Sequence, residues 1–168
     1  MERTNMRATG GEVVGLVLSS GSAPAPPTLG RKGIAVLQRV PLFEGLSRHQ
    51  LRKVAALAEE VHYGEGRAVV REGARGDAFY VVVDGTAKVV RGPTSRRIAR
   101  IGPGDFFGEL ALLTGGTRTA SVVAETPLVT IRLSRAAFQD VVKREPGVAL
   151  KIMVALAGRV RHWGSVDG

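Results

Sequence analysis

The chain has 168 residues, with 24 Lys and Arg against 15 Asp and Glu, and it contains no cysteine. That length suits one domain with an extension, and the missing cysteines exclude disulfides and thiolate metal sites. The net charge of +9 admits an anionic partner, but the excess is spread thinly and forms no like-charge block.

Residues 1–33 read as a flexible N-terminal extension, and residues 34–168 as the folded domain. Gly10-Gly11, Ser19-Ser20-Gly21-Ser22 and Ala23-Pro24-Ala25-Pro26-Pro27 favour extended, solvated chain. The apolar patch Val13–Leu18 is interrupted by Gly15, which argues against a signal peptide. No apolar run approaches the ~20 residues of a membrane helix. From Gly33 the pattern tightens. Ile34, Leu37 and Val40 recur at helical spacing until Pro41 ends the turn. Ser47 is a good N-cap for a helix over 48–59, with Leu51, Val54, Ala55 and Ala58 on one face.

After Glu60 the texture becomes β-like. Strands are expected at Val61–Tyr63, Ala68–Arg71, Ala78–Val83, Ala87–Arg91, Ile98–Ile101, Ser121–Ala124 and Leu128–Leu133, punctuated by glycines. Short strands at such spacing predict an antiparallel sandwich or barrel. Asp84-Gly85 reads as a hairpin turn between the third and fourth of them. Ser134 then caps a helix over 135–144, and Pro146 stands where a last helix starts. That helix, over 147–163, is apolar on most of its circumference, so it is buried or shares a surface with a partner. A helix-turn-helix reading of the last two helices fails, because Val148-Ala149-Leu150 stands where a DNA reader needs polar side chains. The expected fold class is mainly β, a jelly-roll barrel with N-terminal helices and two C-terminal helices.

The informative stretch is Gly104-Asp105-Phe106-Phe107-Gly108-Glu109-Leu110-Ala111-Leu112-Leu113, followed closely by Gly115-Gly116-Thr117-Arg118-Thr119-Ala120. Phe106 and Phe107 end an extended piece, and Gly108 lets the backbone approach something closely. Glu109–Leu113 can form one helical turn with free N–H groups at its start. Gly115-Gly116 reverses the chain and returns Arg118 to that start, which makes a phosphate clamp. A carboxylate at Glu109 suits such a site if it accepts from a hydroxyl, so a ligand with a phosphate and an adjacent hydroxyl is indicated, as in a nucleotide.

These residues resemble the cyclic nucleotide-binding domain family, in its catabolite activator and protein kinase A regulatory subunit branches. The resemblance rests on Phe107-Gly108-Glu109-Leu110-Ala111-Leu112 with Arg118-Thr119-Ala120, similar to the family's phosphate-binding cassette. It extends to Gly73, Gly76-Asp77, Phe79-Tyr80-Val81-Val82, Gly85 and Val40-Pro41-Leu42-Phe43, and runs from Ile34 to Trp163. The resemblance implies that Arg118 binds the exocyclic phosphate oxygens and that Glu109 accepts from the ribose 2′-hydroxyl. It implies that the N–H groups of Ala111 and Ala120 reach the phosphate and that Gly108 gives access to the ribose. Leu110 is expected to face the barrel and the final helices, Asp77 to hold Arg118 from behind, and Val89 to line the base pocket. Phe107 belongs to the supporting core. Thr119 permits cyclic GMP, whose amino group its hydroxyl can bond, and the principal ligand is expected to be cyclic AMP. Thr117 departs from the proline of many relatives and predicts a slightly looser loop. Trp163 or His162 is a candidate cap over the base.

No residue set supports bond-making, so a regulatory role is expected rather than an enzyme, with no metal and no cofactor beyond the nucleotide ligand. The three histidines, at 49, 62 and 162, lack the spacing of a helical zinc site. About 35 residues follow the last strand, which predicts a stand-alone cytoplasmic sensor whose output lies in another chain or in a homodimer built on residues 147–163. Two alternatives stand beside it: a scaffold that uses the apolar last helix without nucleotide, and a basic regulator associated with nucleic acid.

Overall fold

The computed structural model describes residues 29–164. Residues 1–28, most of the expected extension, lie outside the described residues, as do the side chains of His162 and Trp163. The packed fold begins earlier than residue 34. Helix α1 spans Gly30–Gln38, and Leu29 before it is buried in the core. An apolar residue after a Pro-rich run carries no periodicity of its own, which is why the sequence pattern starts too late.

A 3-10 turn over Pro41–Phe43 buries Leu42 and Phe43. Helix α2, Arg48–Leu57, starts in a capping box: the Ser47 hydroxyl accepts the Gln50 N–H at 3.2 Å, and the Ser47 N–H donates to the Gln50 side chain at 2.7 Å. It ends earlier than expected, because Ala58 already opens strand β1, Ala58–Tyr63. The remaining strands are β2 Ala68–Val70, β3 Ala78–Asp84, β4 Ala87–Arg91, β5 Arg96–Ile101, β6 Phe106–Phe107, β7 Ser121–Ala124 and β8 Leu128–Ser134. Helix α3, Glu109–Thr114, interrupts them. Helix α4, Arg135–Arg144, follows Ser134, whose hydroxyl accepts the Ala137 N–H at 3.2 Å. Helix α5 covers Pro146–Gly164.

The strands form two four-stranded antiparallel sheets, ordered β1-β8-β3-β6 and β2-β7-β4-β5. The central strand β3 of the first sheet is buried on both faces. Phe79, Val81, Phe106, Ile131 and Leu133 join a core with Leu37, Phe43, Leu51, Val54, Phe138, Val148 and Ile152 of the helices. Ala78, Tyr80, Val82, Phe107 and Leu128 meet Ala87, Val122 and Ala124 of the second sheet. This is why Ala78–Val82 is buried without alternation, as a central strand covered on both sides must be.

The Asp84-Gly85 turn is not a hairpin. β3 pairs with β6 and β8, whereas β4 pairs with β5 and β7. The turn carries the chain from one sheet to the other. Gly85 has φ +83°, and a Cβ there would lie 2.1 Å from the Pro127 carbonyl oxygen, in the neighbouring crossing between β7 and β8. An Asp-Gly pair specifies a positive-φ reversal but not which strands it joins.

Two ties hold α4 and α5 to the N-terminal helices. The Gln50 side-chain amide donates to the buried Glu145 at 2.7 Å. The Lys151 ammonium donates to the carbonyls of Pro41 and Glu44, at 2.9 and 2.8 Å. Phe79 joins the β-sheet to the helices, with its ring 4.9 Å from that of Phe138 and 5.6 Å from that of Phe106. Phe79→Ala should therefore lower unfolding stability by about 3–5 kcal/mol, seen as a lower urea midpoint with an unchanged slope.

Candidate functional site

The site is built where β6 turns into α3. Gly108 stands at that junction with φ +93°, which favours glycine, and a Cβ there would lie 2.6 Å from an Arg118 guanidinium nitrogen and 2.9 Å from the Ala78 carbonyl oxygen. The Thr114 hydroxyl donates to the Leu110 carbonyl at 2.7 Å, and Gly115 ends the turn in a left-handed conformation. The chain then returns along the segment before β3. Thr117 forms a β-bridge with Arg75, the Arg118 N–H donates to the Ala74 carbonyl at 2.8 Å, and the Gly73 N–H donates to the Arg118 carbonyl at 2.8 Å.

These bonds leave the Arg118 side chain beneath the start of α3. It is only 5% exposed. Nη1 donates to the Gly108 carbonyl at 2.9 Å and Nη2 to the Ala78 carbonyl at 2.7 Å. Asp77 Oδ1 lies 3.5 Å from Nη2, and the guanidinium carbon lies 5.9 Å from the centre of the Tyr80 ring. Tyr80 in turn stacks on Phe107, with centroids 5.0 Å apart and planes within 8°. Glu109, the first residue of α3, is also buried, at 1% exposure.

A cavity of about 520 Å³ opens above this arrangement. Gly108, Glu109, Leu110, Ala111, Arg118, Thr119, Ala120 and Val89 all line it, and so does Phe107. Asp77 does not; it stands behind Arg118, with a side chain 70% exposed. Leu110 is half-buried on the cavity wall, whereas Leu112 is the member of α3 in the core shared with α4 and α5. The sequence reading passes over part of the wall: Arg91, Ile98 and Ala99 on the second sheet, and Ala155 and Gly158 on α5. Arg91 follows Val89 at strand spacing and so shares its face, a signal that was present. Its Nε donates to the Thr119 carbonyl at 3.0 Å. Ala155 and Gly158 carry no local signal, because only packing of α5 brings them to the cavity.

A family model described as the cyclic nucleotide-binding domain matches residues 60–145, half of the chain. The chain belongs to the cyclic nucleotide-binding domain family. Domains of this family are regulatory rather than catalytic, and the two-sheet roll with flanking helices is their fold. A cAMP-dependent protein kinase regulatory subunit of Aspergillus fumigatus is 39% identical over 105 residues, 62% of this chain and 25% of its own length. The present chain thus spans about a quarter of that relative. The catabolite activator protein of Thermus thermophilus matches with a TM-score of 0.68 at 30% identity, over 76% of this chain and 62% of its own. A cyclic nucleotide-binding-like protein of Brucella abortus matches with a TM-score of 0.54 at 37% identity, over 66% of this chain and 97% of its own. No described helix is long and apolar enough to cross a membrane, and among the described residues no cluster of three or more His, Asp or Glu side chains could hold a metal ion.

Behind the cassette, this cyclic nucleotide-binding domain carries a charged and hydroxylic patch. Arg132 on β8 reaches Glu59 Oε2 and Asp77 Oδ2, each at 3.3 Å. Burial opposes its charge, but Tyr80 and the Glu59 and Asp77 carboxylates outweigh burial and hold the guanidinium more firmly charged. Burial pushes the Tyr63 hydroxyl well above the ordinary tyrosine range, reinforced by the neighbouring Tyr80. The folded state therefore keeps the Tyr63 proton at a pH where the unfolded chain, near its ordinary value of about 10, releases it. Stability from this group is fully present below about pH 10 and is lost as pH rises above it. Thermal melts between pH 9 and about 11.5 should show a steep alkaline decline that Tyr63→Phe makes shallower.

Proposed function

We propose that this domain is a sensor that binds cyclic AMP, tolerates cyclic GMP, and relays binding through α5 to a partner. The observation that carries the reading is the buried pair Glu109 and Arg118 on the wall of a single cavity. Arg118 has its guanidinium fixed by the carbonyls of Gly108 and Ala78 before any ligand arrives. Little rotamer entropy is then lost when a phosphate binds. Its two hydrogen-bond acceptors are neutral carbonyls, and its carboxylate contact, Asp77 at 3.5 Å, has a side chain 70% exposed, so the buried guanidinium keeps capacity for an anion on the cavity side.

In this reading Arg118 holds the exocyclic phosphate oxygens, aided by the N–H groups of Ala111 and Ala120. Glu109 accepts from the ribose 2′-hydroxyl, and Gly108 lets the sugar sit against backbone. Val89 and Thr119 lie toward the base, and Asp77 supports Arg118. The cyclic AMP assignment is supported by the name of the Aspergillus fumigatus relative, and Thr119 on the cavity wall supports tolerance of cyclic GMP. The chemistry asked of the site is recognition alone.

The relay is supported by the two sides of α5. Ala155 and Gly158 face the cavity, while Leu150, Met153 and Val154 are exposed, at 57%, 59% and 65%. A ligand that touches α5 differently in two positions shifts their balance by no more than that difference. The output passes to an effector in another chain or to a homodimer through residues 147–163, in a cytoplasmic setting. The same exposed apolar stripe favours a second reading, in which the domain is a scaffold and α5 binds its partner without nucleotide.

Thermal-shift and calorimetric titration of cyclic AMP, cyclic GMP and linear AMP decide between these. Cyclic AMP at about a hundredfold excess over its dissociation constant should stabilise the chain by ~2.7 kcal/mol, with linear AMP giving little. Arg118→Ala should abolish that shift. No binding of either cyclic nucleotide below ~100 μM, where the binding free energy is only ~−5.5 kcal/mol, would reject the sensor reading. If partner association survives Arg118→Ala unchanged, the scaffold reading stands in its place.

A further inference from the structure

The first sheet carries a transverse row of paired residues that ends at the cassette. Glu59 on β1 is opposite Arg132 on β8, Arg132 is opposite Tyr80 on β3, and Tyr80 is opposite Phe107 on β6. Phe107 immediately precedes Gly108. Directly opposed residues in antiparallel strands share one face, so these four side chains run in one line toward the anion clamp.

Two groups lie behind the Arg118 guanidinium, and Arg132 adjoins both: it is bonded to Asp77 and paired across the strands with Tyr80. Asp77 bridges two guanidiniums, with Oδ1 3.5 Å from Arg118 and Oδ2 3.3 Å from Arg132. Tyr80 lies beneath Arg118 and stands directly opposite Arg132 across the β3–β8 pair. Arg132 is itself anchored by Glu59 at 3.3 Å. Charges alternate along Glu59, Arg132, Asp77 and Arg118. An exposed ion pair alone contributes about 0–1 kcal/mol, because ordering a mobile side chain offsets the attraction. Asp77 is such an exposed group on its own. A second grip from Arg132 removes that mobility before Asp77 acts on Arg118. The guanidinium fork suits this task, since its five donors can serve two carboxylates together.

We propose that Arg132 is a positioning residue for the anion clamp: by holding Asp77 in place, it aims the Arg118 guanidinium at the phosphate of the bound cyclic nucleotide. The inference rests on the cyclic nucleotide reading of the cavity. Arg132 is not on the cavity wall, so it acts through its neighbours and not by contact with ligand.

The test uses the full chain and two phosphorothioate analogues of cyclic AMP, which differ only in which exocyclic oxygen is replaced by sulfur. Their affinity ratio reports how sharply Arg118 distinguishes the two oxygens, and a loss of overall stability does not move it. Calorimetric titration of Arg132→Gln should show cyclic AMP bound about 5- to 20-fold more weakly, with the diastereomer ratio several-fold closer to one. Asp77→Asn should do the same, and the double variant should be no worse than the weaker single by more than about twofold, because both act through one contact. If Arg132→Gln does not fold, Arg132→Lys keeps the charge without the fork and should show the same fall in ratio. Cyclic AMP affinity within about twofold and an unchanged ratio in the Arg132 variant would overturn the proposal, as would losses that multiply in the double variant. If the unaltered chain binds no cyclic nucleotide, the sensor reading falls and takes this one with it; if it binds and the Arg132 variants are unmoved, only this one falls.

Discussion

The arrangement depends on one buried guanidinium. Arg118 reaches back across a tight reversal to bond the carbonyl that precedes α3 and the carbonyl that opens β3. Those two bonds tie the returning loop to the start of α3, ten residues before it, and to the start of β3, forty residues before it. Remove them and Gly108, Ala78 and the returning loop have no common partner. A buried cation whose carboxylate partner is a largely exposed Asp77 at 3.5 Å is costly to maintain. Here it sits on a cavity wall, where a bound anion would offset that cost. Gly108 follows from the same constraint, because any side chain at that position would occupy the space of the guanidinium.

The sheet that supports the clamp works on both faces. Toward the second sheet it presents Tyr80 and Phe107, stacked under Arg118. Toward the helices it presents Phe79 and Phe106, packed with Phe138. Successive residues of the same strands thus touch the site and the helical layer in turn. α5 closes the circuit, since Ile152 lies in the helical core and Ala155 lines the cavity. Lys151 and the Gln50–Glu145 pair tie that helical layer to the N-terminal segment. A shift of α5 would have to break polar contacts as well as apolar ones, which favours discrete positions over gradual drift.

Much of this was legible in the residues. Ser47 and Ser134 cap the helices they announce, because a hydroxyl acceptor at a helix start is a local requirement met by local chemistry. The strands Ala87–Arg91 and Ser121–Ala124 fall where β-branched runs between turn residues place them. The turn that gathers Gly108 and Arg118 was readable for the same reason, since a glycine, a short helix, a double-glycine reversal and an arginine lie within a dozen or so residues. What was not readable is non-local. Asp84-Gly85 announces a turn, but strand partners are chosen by which faces must be buried. Leu29 looks like the end of a proline-rich run, yet the core of the helical layer takes it in.

By itself, then, the sequence determined the element types, the helix caps and the return of Arg118 to the turn that begins at Gly108, because each rests on contacts within a short stretch of chain. Tertiary structure alone decided that β3 and β4 part to different sheets, that Ala155 and Gly158 of α5 wall the cavity, and that Arg132 stands in register between Glu59 and Tyr80. These depend on pairing and burial between segments tens of residues apart. No single segment records which distant face will cover it. The opening charge of +9 shows the same division: composition announced an excess of cations, but only the fold buried one of them against a cavity.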